Sequence, residues 1–198
     1  MEQATLHRPP SLTDAVVAHI REGIIQGTYA PGQSLTEGQL SEELGTSRGT
    51  VREALRVLAS LGLVERTAHR GAAVAPLTAR RAEEIYTLRA SLESLAAQLA
   101  VQRGYLDDAA IEVLTALADP IEAAAEQDDL QGMVHADIEF HRALSAYSGH
   151  DLLMEHLDAI QVHSRRLLFY SDLYRPEPQL VVRRHRELLD ILRTGDPY

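Results

Sequence analysis

The 198-residue sequence contains no cysteine, no tryptophan and no lysine, so its basic side chains other than histidine are 19 arginines. Without cysteine there is no disulfide framework and no thiolate metal site. The sequence also lacks a long apolar run and an N-terminal signal pattern, so neither a membrane-spanning helix nor a secretory leader is expected. We therefore expect a soluble, cytoplasmic protein without a membrane partner, built as one large domain or two small ones.

Acidic residues are concentrated in the second part of the chain, and the net charge is −10. Residues 1–76 hold seven arginines against eight acids, whereas residues 77–198 hold twelve against twenty-one. This acidity does not exclude a nucleic-acid partner, because DNA binding requires a local positive face and not a basic chain. We expect the acidic second part to point away from such a partner.

The first third of the chain contains the pattern of two short helices joined by a tight turn. Residues 37–44 predict an amphipathic helix with Leu40 and Leu44 on one face, which Gly45 ends. Ser47 is positioned to cap a second helix. The apolar face of that helix has the i, i+4, i+7 spacing typical of a face that packs on a core, and consists of Val51, Leu55 and Leu58.

The other face of this second helix is basic. It carries three arginines at i, i+4 and i+8, namely Arg48, Arg52 and Arg56. The small residues Gly49 and Thr50 let the start of the helix enter the major groove, where guanidinium groups reach phosphates or guanine edges. An arginine stripe alone would indicate a solvated face, but the preceding turn and cap favour a DNA-binding helix-turn-helix.

A two-stranded wing is predicted directly after the second helix. Residues 63–66 and 72–75 have the character of short strands, and the residues between them form a turn. His69 and Arg70 lie at the tip of this turn, where they could reach the minor groove or the DNA backbone. The order of turn, cap, basic helix and wing strengthens the prediction of a winged helix-turn-helix.

This region resembles the N-terminal domain of GntR-type bacterial transcription regulators, and the matching segments include the runs YAPG, LGTSR and VREALR. The resemblance implies DNA contacts from the start of the second helix and from the wing, at Ser47, Arg48, Gly49, Thr50, Arg52 and near Gly71. With Arg56, His69 and Arg70 added from the residue pattern, these positions form the predicted DNA-binding set. Gly38 departs from the family, because some members carry a DNA-contacting arginine there, and we expect that contact to be lost.

The sequence from residue 78 onward predicts helices only. Thr78 caps the first of them, whose predicted core face consists of Ile85, Leu88, Leu92, Leu95, Ala96 and Leu99. Further helices are predicted near residues 107–126, 130–147, 151–170 and 179–192. Pro120 should kink or divide the second of the five.

Short connections between these helices indicate an antiparallel bundle. The predicted fold class is therefore mainly α, with a winged helix-turn-helix DNA-binding domain over residues 1–76. An all-helical effector-binding and dimerisation domain is predicted over residues 77–198.

A candidate metal site lies in the third helix of this bundle. Asp137 and His141 are four residues apart, so both side chains lie on one helical face. A carboxylate oxygen and an imidazole nitrogen can share a divalent metal. A hydrogen-bonded Asp–His pair on a helix surface is the commoner explanation of this spacing taken alone.

Residues 78–196 resemble the FCD-type ligand-binding domain of the FadR-like branch of GntR regulators, on the runs LRASLE and DIEFHRAL and on His185. The resemblance implies a divalent metal of the Zn, Ni or Mn class, held by Asp137, His141 and His185, and a small carboxylate effector. In the family a further helix supplies one more histidine, and this chain is expected to lack that helix. Three ligands can still hold a metal with water or an effector carboxylate completing the shell.

Arg89 is a candidate effector-binding residue, because a guanidinium pairs well with a carboxylate. An internal pair with Glu93, four residues later, explains the same arginine equally well.

The predicted function is that of a DNA-binding transcription regulator, and a repressor is favoured over an activator. It is expected to bind its operator as a homodimer, and a small organic acid is expected to control this binding. One alternative is a metal-dependent hydrolase using the same three ligands, although Glu139 points away from them and no general base is evident. The others are a metal-free regulator, in which these residues form a structural polar network, and an effector-blind repressor.

Overall fold

A computed structural model describes residues 11–67, 71–170 and 177–195 of the chain. The chain divides into two compact units, Met1–Leu77 and Thr78–Tyr198. Within the described residues, every strand lies in the first unit and the second unit is built from helices. The predicted fold class, a winged helix-turn-helix followed by a helical bundle, is confirmed.

Local capping groups fix where the three helices of the first unit begin. Ser11 and Asp14 form a reciprocal capping box, and Thr36 and Ser47 each accept a hydrogen bond from a backbone N–H of the next turn. Gly27 ends the first helix in the left-handed conformation, with φ of 89°. The helices are α1 (Leu12–Gln26), α2 (Glu37–Glu43) and α3 (Arg48–Ser60).

The wing is part of a three-stranded antiparallel sheet with the strand order β1-β3-β2. Val64 pairs with Val74 and Thr67 pairs with Gly71, so the last two strands form the predicted hairpin. The first of them begins and ends one residue later than predicted, and the second begins and ends one residue earlier. The strands are β1 (Ser34–Leu35), β2 (Val64–Thr67) and β3 (Gly71–Val74). The tip of the wing, including His69 and Arg70, lies outside the described residues.

The core of the first unit forms where α1 packs against α3. Ile20 and Ile24 of α1 and Val51 and Leu58 of α3 are fully buried. This packing leaves the opposite face of α3, with its arginines, in solvent.

Five helices make up the described part of the second unit. Thr78 and Asp107 cap the first two through backbone N–H groups three residues later, as their side chains favour. The helices are α4 (Ala79–Gln102), α5 (Asp108–Glu126), α6 (Leu130–Ala146), α7 (Asp151–Tyr170) and α8 (Pro178–Thr194). Pro120 was expected to kink or divide α5; the helix continues through it and is not divided, and the kink stays a prediction. No helix of the described ranges is both long and apolar enough to span a bilayer.

The main core of this unit lies between α5, α6 and α8. It is centred on Leu114, Phe140 and Leu189, which are almost fully buried. Helix α4 packs against α6 and α7, and its Ala97 and Val101 contact this core.

The buried face of α4 agrees only in part with the predicted one. Ile85 and Ala96 are buried as predicted, whereas Leu88 and Leu95 are 49% and 44% exposed and Arg89 is buried. The apolar periodicity misassigned Leu88 and Leu95 because it leaves an arginine in solvent, and here carboxylates of α4 and α6 hold Arg89 inside the bundle.

Candidate nucleic-acid interface and candidate metal centre

Helix α3 presents its N-terminal turn and its basic face to solvent. Ser47 accepts a hydrogen bond from the backbone N–H of Thr50 at 3.1 Å, and its hydroxyl lies 2.9 Å from the Thr50 hydroxyl. Arg48 and Arg52 are exposed on the next turns. This is the arrangement that a major-groove helix needs, because small polar groups at its start approach base edges while arginines reach beyond them.

Arg52 is held by a carboxylate that the sequence analysis did not identify. Its Nε and Nη2 atoms donate to the two oxygens of Glu37, at the start of α2, over 2.8 and 2.6 Å. The hydrogen bond from Arg52 is the main cause that lowers the pKa of the Glu37 carboxyl, and the nearby charges of Arg66 and Arg48 lower it further. The pair joins the two helices of the helix-turn-helix across its exposed side.

The other two arginines of α3 differ in their surroundings. The guanidinium of Arg48 lies over Gly38, where a Cβ would be 3.8 Å from Nη2. The basic group next to position 38 is therefore supplied by α3, although the residue itself has no side chain. Arg56 donates to Glu53 on its own helix over 2.9 Å, and both side chains are more than half exposed.

The described part of the wing places Arg66 and Gly71 at exposed positions on β2 and β3. Gly71 has a φ of 81°, a conformation that side chains with a Cβ rarely adopt. Its position at the start of β3 explains why glycine suits the end of the wing turn.

The three predicted metal ligands come together between α6 and α8. The Oδ1 atom of Asp137 lies 3.4 Å from Nε2 of His185 and 3.8 Å from Nε2 of His141. One potential ligand atom from each residue lies within 4.8 Å of the other two. Phe140 packs edge-on against both imidazole rings, with ring centres 5.4 Å and 4.8 Å away, and so restricts their orientation.

The outer nitrogens of both imidazoles face fixed acceptors. Nδ1 of His185 lies 2.8 Å from the carbonyl oxygen of Val181, and Nδ1 of His141 lies 3.2 Å from Oε2 of Glu93. These acceptors favour a proton on each Nδ1, which leaves both Nε2 lone pairs toward Asp137. Nε2 of His185 is buried and makes no hydrogen bond to any described residue.

Burial and electrostatic interactions favour the protonation states of His141 and Asp137 that binding of a metal cation would require. Burial is the main cause that lowers the pKa of His141, which favours the neutral ring. Burial acts to raise the pKa of Asp137, but its electrostatic interactions with His141, Arg89 and His185 outweigh burial and lower that pKa, so the carboxylate is ionised. A neutral imidazole and an ionised carboxylate are the forms that coordinate divalent metals.

Arg89 is buried beside this cluster and is already engaged by internal partners. Its Nε donates to Oε1 of Glu93 over 2.5 Å, and its Nη2 donates to Oδ2 of Asp137 over 3.1 Å. The pair with Glu93 is the alternative considered from the sequence. The contact with Asp137, which is 48 residues away, was not predicted and links Arg89 to a candidate metal ligand.

The two sites define a DNA-binding transcription regulator with a helical ligand-binding domain, and comparisons with known proteins support this class. Residues 12–74 match the family "Bacterial regulatory proteins, gntR family", and residues 84–198 match the FCD domain. The chain belongs to the GntR family, in the group whose members carry an FCD domain.

The chain is similar to transcription regulators over most of its own length and most of theirs. The uncharacterized HTH-type transcriptional regulator YdhC of Bacillus subtilis is 29% identical, over 96% of this chain and 84% of YdhC. The galactonate operon transcriptional repressor of Escherichia coli is 28% identical, over 93% of this chain and 88% of the repressor. The solved structure of E. coli McbR/YncC matches with a TM-score of 0.74 and 26% identity, over 94% and 88% of the two chains. The chain is thus a transcription regulator and not an enzyme, and the hydrolase alternative is set aside.

Proposed function

We propose that this regulator is a homodimeric operon repressor, and that a small carboxylate, bound with a divalent metal in the second unit, controls its DNA binding. The observation that carries the ligand part is the convergence of Asp137 Oδ1 with two imidazole Nε2 atoms, one of them buried without a hydrogen bond among the described residues. The DNA-binding part rests on the exposed basic face of α3. One recognition helix reads only a few base pairs, so a dimer on a roughly palindromic operator is expected.

The proposed DNA contacts are those of α3 and the wing. Arg48 and Arg52 are exposed and extend beyond the capped helix start, so they can reach phosphates or base edges. Arg56 shares its charge with Glu53 and is suited to a weaker backbone contact. The remaining proposed contacts are Ser47, Gly49, Thr50 and Gly71, with His69 and Arg70 at the wing tip outside the described residues.

The residues present fit a divalent metal of the Zn, Ni or Mn class. Asp137, His141 and His185 provide one carboxylate and two imidazoles, a donor set that such ions favour. A bound metal would supply a positive centre that attracts a carboxylate oxygen. We therefore propose that the effector is a small carboxylate. One relative is named as the repressor of a galactonate operon, and galactonate carries a carboxylate group.

Arg89 is proposed to contact the effector through the N–H groups that do not donate to Glu93 or Asp137. Among the described residues, Glu93 and Asp137 engage only the Nε and Nη2 atoms of Arg89. An arginine carries five N–H groups, so further donors remain for a second carboxylate. A ligand controls the repressor only if it favours one arrangement of the protein over another, and Arg89 joins α4 to α6.

A metal-free regulator is the competing hypothesis, and one observation favours it. Arg89 already places a positive charge beside Asp137, so the carboxylate is compensated without a metal. In that case the cluster is a structural polar network, and operator binding and effector response are insensitive to chelators.

Elemental analysis after dialysis against metal-free buffer tests the proposal. We expect stoichiometric metal in the parent chain and none in a variant with Asp137→Ala and His141→Ala. His135→Ala is the matched control, because His135 is an exposed histidine on the same helix, and it should retain the metal. If no metal is found, and Zn²⁺, Ni²⁺ and Mn²⁺ all fail to raise the thermal stability of the parent, the metal part is wrong.

Operator binding with and without candidate effectors tests the remaining part. A DNA duplex selected by the full chain from a random pool provides the operator. Sugar acids and other small carboxylates should weaken binding to this duplex in the metal-loaded parent. They should have less effect in the double variant, while both proteins bind the duplex equally in the absence of effector.

A further inference from the structure

We infer that Glu37 is a specificity-determining residue of the DNA interface, because it holds Arg52 in the orientation that reads a guanine and prevents it from acting as a general phosphate contact. The inference rests on the proposed DNA-binding role of α3. Neither the residue pattern nor the family resemblance assigned a role to Glu37.

The geometry of the pair leaves one edge of the Arg52 guanidinium available to DNA. Glu37 takes the edge of the Arg52 guanidinium formed by Nε and Nη2, and both carboxylate oxygens are used. The opposite edge, formed by Nη1 and the second N–H of Nη2, donates to no acceptor within the described residues. Two parallel N–H donors on one edge match the O6 and N7 acceptors of guanine, which is the commonest specific contact in the major groove.

The charge of the pair favours a base over a phosphate as the partner of Arg52. With Glu37 ionised, the pair has no net charge, and its carboxylate would lie close to any phosphate that Arg52 approached. A guanine edge carries no charge and offers only acceptors, so it is preferred over an anionic phosphate as the partner of this arginine. Arg48 has no ion-pair partner within the described part of the chain and remains suited to phosphate contact.

Stabilising the fold is not the main role of the pair between Glu37 and Arg52. The side chains of Arg52 and Glu37 are 50% and 31% exposed. Ion pairs at such exposure add little to the stability of a fold, since solvent screens them and both side chains lose rotamer freedom. The pair therefore serves chiefly to orient Arg52.

Glu37→Gln provides the test, because glutamine keeps the size of the side chain and removes its charge. The operator is a duplex selected from a random pool by the full wild-type chain, and a scrambled duplex of the same length measures non-specific binding. Fluorescence anisotropy at several salt concentrations gives both affinities and their salt slopes.

In this variant, binding to the scrambled duplex should strengthen and the slope of log K against log salt should steepen by about 0.9, as for one additional phosphate contact. The ratio of operator to scrambled affinity should fall about tenfold, roughly what one well-oriented bidentate contact contributes. The lost discrimination should map to a single G·C pair in each half-site. Arg52→Lys, which keeps the charge and loses the two-donor edge, should lose discrimination at the same pair.

Glu53→Gln is the matched control. It removes the same charge from an exposed glutamate that also pairs with an arginine of α3, but through one contact to Arg56. It should strengthen binding to both duplexes and leave their ratio unchanged. The inference is overturned if Glu37→Gln behaves like this control, or if it weakens both duplexes equally with a lower melting temperature.

The Arg52 variants separate a failure of this inference from a failure of the proposed DNA face. If Arg52→Ala abolishes operator preference while Glu37→Gln leaves it intact, Arg52 reads DNA without help from Glu37 and only the inference is wrong. If Arg52→Ala leaves operator preference unchanged, the proposed DNA face is wrong and the inference falls with it.

Discussion

Each unit contains an arginine whose Nε and Nη2 atoms donate to carboxylates, and the two differ in what surrounds them. Arg52 gives both atoms to one glutamate on the protein surface, with its other edge directed to solvent. Arg89 divides the same two atoms between Glu93 and Asp137 inside the helical bundle. The difference in exposure decides the role of each arginine. Arg52 can bind an external partner through its free edge, whereas Arg89 stabilises the second unit by joining α4 to α6.

The largest expected effect comes from removing the buried arginine. Arg89→Met should lower the free energy of unfolding by about 3–5 kcal/mol, because Asp137 and Glu93 lose their shared cation in a partly desolvated site. Denaturant unfolding followed by circular dichroism measures this change. Arg52→Met, the same substitution on the surface, should leave the stability almost unchanged, and equal effects in the two variants would break the comparison.

Metal binding should stabilise the second unit alone. A metal held by Asp137, His141 and His185 at a hundredfold excess over its dissociation constant adds about 2.7 kcal/mol to the free energy of unfolding. Calorimetry with and without Zn²⁺ measures the shift, and tryptic fragments identify the protected unit. A shift that persists in His185→Ala would place the metal elsewhere.

The same substitution, glutamate to glutamine, at Glu93 and at Glu37 compares the stability that each arginine pair contributes. Glu93→Gln should cost about 1–3 kcal/mol, because Arg89 is buried and loses a charged acceptor. Glu37→Gln should change the stability by no more than about 0.5 kcal/mol. Urea midpoints of the two variants, measured side by side, test the difference, and a larger loss in Glu37→Gln would contradict the distinction drawn between the sites.

The smallest expected effect concerns the start of α3. Ser47→Ala removes the side chain that accepts the Thr50 N–H and should cost about 1 kcal/mol, whereas Ser47→Asp should restore the cap. Thermal unfolding measures both variants. The negative charge of the aspartate should nevertheless weaken operator binding, and recovery of both properties would show that Ser47 acts only as a cap.

Local chemistry made much of the fold predictable. Ser11, Ser47 and Thr78 cap helices because each side chain finds its partner three residues away, and the positive φ of Gly27 follows from its place after a helix. The winged order and the family match are confirmed by the comparisons. Pro120 shows the limit of a local rule, since α5 continues through it.

The parts that could not be predicted depend on contacts between distant residues. The predicted face of α4 was wrong at Leu88 and Leu95, because the burial of Arg89 requires Asp137, 48 residues later on another helix. The link between Glu37 and Arg52 spans 15 residues across a turn whose angle no spacing rule gives. The metal role of Asp137, His141 and His185 stays a prediction, although the structure places their side chains together.

The placement of these three side chains on α6 and α8 has a mechanical consequence. An ion held between His141 and His185 would fasten two helices that are far apart along the chain and so close a long loop, as a disulfide does. In a sequence without cysteine, such a fastening could be opened and closed by the supply of an ion and not by oxidation. The rigidity of α8, read from the hydrogen exchange of its amides, would then follow the metal content of the surrounding solution.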